Sequence, residues 1–263
     1  MANFIRTLVA RDRVLTFTAL AMVVGLVLAA VAASFDTRTV TGINPWVKPM
    51  KFLLSIAIFL GTVAWLMPEV QAAPRTRRRM SGIMAGTMIF EIVCIAGQAA
   101  RGTTSHFNQS TGFDVAIFAL MGLAITVNTL AVAAMWWWLR RDTPPDRVGY
   151  LTGVRLGLAL FVVGSLQGFL IVANGSHSLP GQDGGPGLPF LNWSVDRGDL
   201  RVAHFISLHA LQALPLLGYL LDRSGGLGVA GRRATVRAMA MVWLALTGVA
   251  LALALRGLPL LPR

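Results

Sequence analysis

The chain has 263 residues, of which 55% are hydrophobic and only 13% charged, with a mean hydropathy of +0.66. A soluble domain carries about 25% charged residues, so this composition excludes an ordinary soluble globular fold. The net charge of +12 does not mark a nucleic-acid binder, because the basic residues are scattered in short groups along the chain rather than gathered in one patch.

Apolar runs long enough to cross a bilayer as helices recur at about 14–33, 50–67, 81–100, 114–138, 149–173, 202–221 and 236–255. They predict an all-α integral membrane protein, a single seven-transmembrane-helix bundle over residues 1–263. Fifteen of the 23 Lys and Arg lie in the groups Arg6–Arg13, Arg75–Arg79, Arg140–Arg155 and Arg223–Arg237. These groups alternate with the other ends of the spans. The positive-inside rule then predicts a cytoplasmic N-terminus and an extracytoplasmic C-terminus. The first span ends Val31-Ala32-Ala33-Ser34, a signal-peptidase-like sequence. Its apolar run is long for a signal peptide, and an uncleaved first helix is expected.

The second span opens Asn44-Pro45-Trp46-Val47-Lys48-Pro49-Met50-Lys51, which holds both lysines of the chain. Three apart, Lys48 and Lys51 share a face if helical. They sit on the side where positive charge is disfavoured, placed to pair with Glu91 or Asp114, to bind an anionic ligand, or to touch headgroups.

Glu91 stands near the middle of the third span, Ser81–Ala100. A carboxyl at that depth is costly in lipid and should face protein, water or a bound partner. Thr87, Cys94, Gln98 and Arg101 fall on its face at helical spacing. The connection Arg101–Asp114 is dense in hydrogen-bonding groups and contains His106 and Asn108. Asp114 opens the fourth span as a first-turn charge favoured by the helix dipole. That span also carries Asn128 and closes on Trp136, Trp137 and Trp138, an interfacial signature. The fifth carries Gly153, Gly157, Gly164 and Gly168 on one face, a stripe that lets a neighbouring helix approach closely. Gln167 lies beside it, placed to hydrogen-bond across that contact.

The Gly- and Pro-rich loop Asn174–Arg201 cannot form a long helix and reads equally as a lid or as a connector. The sixth span begins with Arg201, His204, His209 and Gln212. His204 and His209 lie about 140° apart on a regular helix, so they are not a four-residue chelating pair. The seventh span is nearly featureless, with Thr247 its polar residue.

Glu91, Gln98, His106, His204, His209 and Gln212 are together expected to line an outward-facing polar pocket. Lys48, Lys51, Gln98, Arg101, Asn108, Asp114 and Gln212 are the candidate ligand-binding residues. Glu91, His106, His204 and His209 are the candidate metal ligands, and Glu91 and His209 the candidate catalytic groups. His and Glu suit zinc, copper or iron, histidines on separate helices suit a single haem, and carboxylate with imidazole suits proton transfer. The residues leave these readings open, with a purely structural polar network beside them.

At Arg101-Gly-Thr-Thr-Ser-His-Phe-Asn108, at His204-Phe-Ile-Ser-Leu-His-Ala-Leu-Gln212 and at Asn44–Lys51 the chain resembles a group of uncharacterised bacterial multi-pass membrane proteins. The resemblance implies a bacterial inner (cytoplasmic) membrane location and attaches no activity. The paired His-x-x-x-His of the seven-helix ceramidase-like hydrolases is missing. The leading expectation is a pocket binding a small ligand, metal or haem. The alternatives are a membrane enzyme using His/Glu chemistry on a lipid-like substrate, a proton-coupled transporter, and a structural or assembly protein. The expected partners are the lipid bilayer and a small-molecule or lipid ligand.

Overall fold

The computed structural model describes residues 2–181 and 183–261 and is 74% helical. Arg263, counted among the basic residues above, lies outside the described residues. Seven helices are long and apolar enough to cross a membrane, which fits a multi-pass membrane protein. They are α2 (Arg13–Phe35), α3 (Val47–Leu66), α4 (Pro74–Ala100), α5 (Gly112–Trp137), α6 (Val148–Asn174), α7 (Leu200–Ser224) and α8 (Val229–Leu255). Each of the seven apolar runs coincides with one helix. The helices start earlier than the runs where basic residues extend them, by seven residues at α4 and at α8. A window tuned to apolar residues stops where arginine begins, although arginine is a good helix former.

A short helix, α1 (Ala2–Arg11), precedes them and is absent from the sequence reading because it is neither long nor apolar. Its end is fixed by Asp12, whose side chain accepts from the Leu15 amide at 2.9 Å and so caps α2. Ser81 on α4 donates to the other oxygen of the same carboxylate. The Arg11 guanidinium stacks on Trp65, 3.7 Å from the ring centroid, and donates to the Trp65 carbonyl at 2.6 Å.

The helices gather into two compact units, Met1–Ala131 and Val132–Arg263. In the first, α2 packs on α3, and α4 packs on both. Their core includes Leu15, Leu60, Val63, Met84 and Ile95, all essentially inaccessible. Val23, Val24, Val27, Leu28 and Val31 of α2 are exposed, an apolar face of the kind a bilayer covers.

In the second unit α6, α7 and α8 pack together, with α6 and α7 closest. A Cβ added at Gly153 would lie 2.2 Å from the Leu214 carbonyl oxygen, and one at Gly157 would lie 2.7 Å from that of Ala210. Gly164 meets Ser207 in the same way at 2.7 Å. The glycine stripe is therefore the α6 surface on which the α7 backbone rests. Ser207 reinforces the contact by donating to the Leu160 carbonyl at 2.7 Å. α7 runs through Pro215 without a break. Both α6 and α7 stop at glycines with positive φ, Gly175 and Gly225.

The loop between α6 and α7 is tied at its two ends. β1 (Ser178–Leu179) pairs antiparallel with β2 (Gly198–Asp199). Gly198 sits so close to the Ala254 carbonyl of α8 that a Cβ would be 2.1 Å from it. Trp193 packs against the buried cluster of Val202, Ala203 and Ala250 at the junction of α7 and α8.

Candidate functional site

In the first unit α3, α4 and the α4–α5 connection bring Lys48, His106 and Glu91 together. The start of α3 is held by Asp36 and Asn44. Asn44 Nδ2 donates to the carbonyls of Asp36 at 2.6 Å and Ala33 at 3.1 Å, and its Oδ1 accepts from the Trp46 amide. Asp36 binds the Trp46 indole N–H at 2.9 Å and the Arg38 guanidinium at 2.6 Å. The hydrogen bonds from Arg38, with that from Trp46, hold the Asp36 carboxyl well below the usual carboxylate range. Two residues after this anchor, Lys48 leaves the first turn of α3 with Nζ 3.1 Å from His106 Nδ1.

That contact fixes the imidazole. An ammonium can only donate, so Nδ1 is the acceptor and Nε2 carries the proton of the neutral ring. Ser105 Oγ lies 3.1 Å from the same Nδ1. Nε2 faces Glu91 Oε1 at 3.8 Å, within ion-pair range and beyond a hydrogen bond. Phe52, Phe107 and Phe118 surround the ring, with centroids 6.1, 6.3 and 5.8 Å away. Glu91 is 5% exposed, and its Oε2 is buried with no hydrogen-bond partner among the described residues. An acceptor left bare inside apolar surroundings is costly, so such an atom calls for an explanation.

Two turns along α4, Gln98 meets a second carboxylate, Asp114 of α5, which behaves differently. Asp114 accepts from Gln98 Nε2 at 2.8 Å, from Arg101 at 2.6 Å and from Thr111 Oγ1 at 2.6 Å. Arg101 also donates to Gln98 Oε1, and its guanidinium lies 5.0 Å from the Phe113 ring centroid. This group is internally saturated and staples the end of α4 to the start of α5. Asn108 pins the connection, donating to Thr103 Oγ1 at 2.9 Å and accepting from the Ser110 amide at 3.1 Å. Lys51 is half-buried one turn after Lys48. In the other direction along α4, Thr87 donates to the buried Asn128 of α5 at 3.3 Å.

His204, His209 and Gln212 belong to the second unit. His204 Nδ1 donates to the Gly164 carbonyl of α6 at 2.7 Å, a contact the glycine stripe makes accessible. His209 Nδ1 turns back to the Phe205 carbonyl of its own helix at 2.8 Å. Its ring lies 3.9 Å from Phe205, which in turn meets Trp193 of the loop at 5.2 Å. Gln212 is half-buried on α7. At Gln167 the Oε1 is buried with no hydrogen-bond partner among the described residues, so this atom does not make the expected bond across the helix contact. In the loop, His177 pairs with Asp183. Burial raises the Asp183 carboxyl, but the His177 hydrogen bond and charge prevail and hold it below its ordinary value.

Among the described residues no group of three or more His, Cys, Asp or Glu side chains is arranged to hold a metal ion. Glu91 and His106 stand near each other as two donors. The sequence reading named Glu91 and His106 as members of one candidate pocket. It did not give the aromatic wall or the Lys48–His106 contact, which depend on the path of a loop. Compared with known protein families, curated proteins and solved structures, the chain shows no match.

Proposed function

We propose that this is a bacterial inner-membrane protein, N-terminus inside, whose Lys48–His106–Glu91 cluster binds a small ligand from the outer face. The observation that carries the reading is the bare Oε2 of Glu91. An ionised carboxylate there would have an unused acceptor, and a ligand N–H or O–H would fill it. Lys48 offers a positive charge to an anionic group on the same ligand, and the phenylalanines offer apolar contact to its body. The Asp114–Gln98–Arg101 group supports the site by fixing the connection that carries His106. The positive-inside rule supports the outward orientation.

The test is native mass spectrometry of the protein purified in mild detergent without chelator, with an absorbance spectrum and elemental analysis on the same sample. A small molecule retained by the wild type and lost from Glu91→Gln and His106→Ala, with both variants still folded, is the expected result. Equal retention by all three proteins would refute the site. A Soret band or a near-stoichiometric metal lost with His106 would instead make it a haem or metal site.

A second reading, a proton-coupled carrier, is favoured by the Thr87–Asn128 contact. Thr87 lies about 6 Å along the helix from Glu91, and beyond it stands the Ser81–Asp12 contact at the opposite end of α4. Polar pairs thus recur along one helix, as a proton path requires. The same Lys–His–Glu array suits a membrane enzyme using acid–base chemistry on a lipid-like substrate.

A further inference from the structure

A cavity of about 300 Å³ opens at the other end of the second unit, where α6, α8 and the segment before α6 converge. Thr143, Thr152, Arg155, Leu156, Arg233 and Arg237 line it. Three guanidinium groups on one cavity repel one another. Arg155 is held in place by the protein: it donates to Thr143 Oγ1 at 3.1 Å and to the Arg140 carbonyl. Asp142 is engaged with Arg140, and Asp222 with Arg232 at 3.0 Å. Arg233 and Arg237 have no ion pair or hydrogen bond among the described residues. Arg233 is half-buried all the same.

A preorganised arginine and two arginines with unspent donors form a site of one chemistry. Guanidinium forks match phosphate oxygens bidentately. The volume falls at the lower end of ligand pockets and exceeds what a simple ion needs. The surrounding segments are the arginine-rich ones that the positive-inside rule assigns to the cytoplasmic surface, and basic pockets between helices on that side suit anionic headgroups. We infer that the cavity between α6 and α8 is a phosphate-binding site in which Arg155, Arg233 and Arg237 hold a phosphate group, of a lipid or of a soluble phosphorylated compound.

The test uses the full-length protein, in nanodiscs of phosphatidylcholine alone or with phosphatidylglycerol, and in detergent with pyrophosphate. The readouts are lipid retained on release into the mass spectrometer and the shift in Tm. The double variant Arg233→Gln/Arg237→Gln removes the two unspent guanidiniums and no internal hydrogen bond. Arg78→Gln/Arg79→Gln lowers the charge equally at a different basic segment, the start of α4. We expect the wild type to hold at least one phosphate-bearing ligand tenfold more tightly than the Arg233/Arg237 variant, with the Arg78/Arg79 variant unchanged. Preference for phosphatidylglycerol would make the source a lipid, and stabilisation by pyrophosphate a soluble compound. Equal losses in the two variants would reduce the effect to diffuse surface charge, and no binding of either probe by the wild type would likewise overturn the site.

Discussion

Glu91 and Asp114 are both buried carboxylates of the first unit, and their hydrogen bonds separate their roles. Asp114 is saturated by Gln98, Arg101 and Thr111, while Glu91 keeps one oxygen bare beside His106. Glu91 was legible in the sequence because a carboxyl within an apolar run is costly wherever the helix goes. Its nearest imidazole was legible only as a candidate. His106 lies in a loop, and helical periodicity says nothing about where a loop returns. A third carboxylate, Asp222, gave no signal at all, since an aspartate beside Arg223 at a helix end reads as surface. In the fold it accepts from the amides of Gly149 at 2.9 Å and Tyr150 at 2.8 Å, which open α6, and from Arg232. It thus caps one helix from another and pairs with a third. Asp222→Ala leaves two amides without their acceptor and a half-buried guanidinium with the Pro145 carbonyl alone. The expected cost is about 3 kcal/mol, read by denaturation in detergent. A change below a few tenths of a kcal/mol would show that water replaces the carboxylate.

Helix packing in lipid gains little from hydrophobicity and depends on close fit, which is why α6 was readable as an element and not merely as an apolar run. Glycines four and seven apart make one groove, and the α7 backbone occupies it. The partner helix was not readable, because a groove of glycines specifies small clearance and not an address. The clearance itself can be tested. At Gly153 a methyl group would meet the Leu214 carbonyl and the Pro215 nitrogen, atoms that cannot move without shifting α7. Gly153→Ala is therefore expected to destabilise by about 2–3 kcal/mol. Gly82 on α4 faces open space. Gly82→Ala should instead gain stability, by up to about 1 kcal/mol, from helix propensity. Comparing the two melting curves separates packing from propensity, and equal shifts would mean that α6 and α7 are not in backbone contact. The loop joining these helices shows the complementary limit. Its glycines and prolines excluded a helix, but its β1–β2 pairing and the seating of Trp193 arise from contacts with α7 and α8 that composition does not encode.

For the whole molecule the strongest regularity is the asymmetry of positive charge among the short connections between the helices. The Lys48–His106–Glu91 cluster lies toward the ends of α3 and α4 that carry few basic residues, and the Arg155–Arg233–Arg237 cavity lies among the many. Charges on short loops orient a membrane protein because moving a guanidinium through the hydrocarbon is costly. With seven spans and the N-terminus inside, as proposed above, the α4–α5 connection is expected outside and the α3–α4 connection inside. Single cysteines in a Cys94→Ser background test this directly. On intact cells a membrane-impermeant maleimide should label Ser110→Cys and should label Ala73→Cys and Ser224→Cys only after the membrane is opened. The reverse pattern would turn the Glu91 site toward the cytoplasm and the arginine cavity toward the outside. Equal labelling of all three would mean that the chain does not cross the membrane at α4.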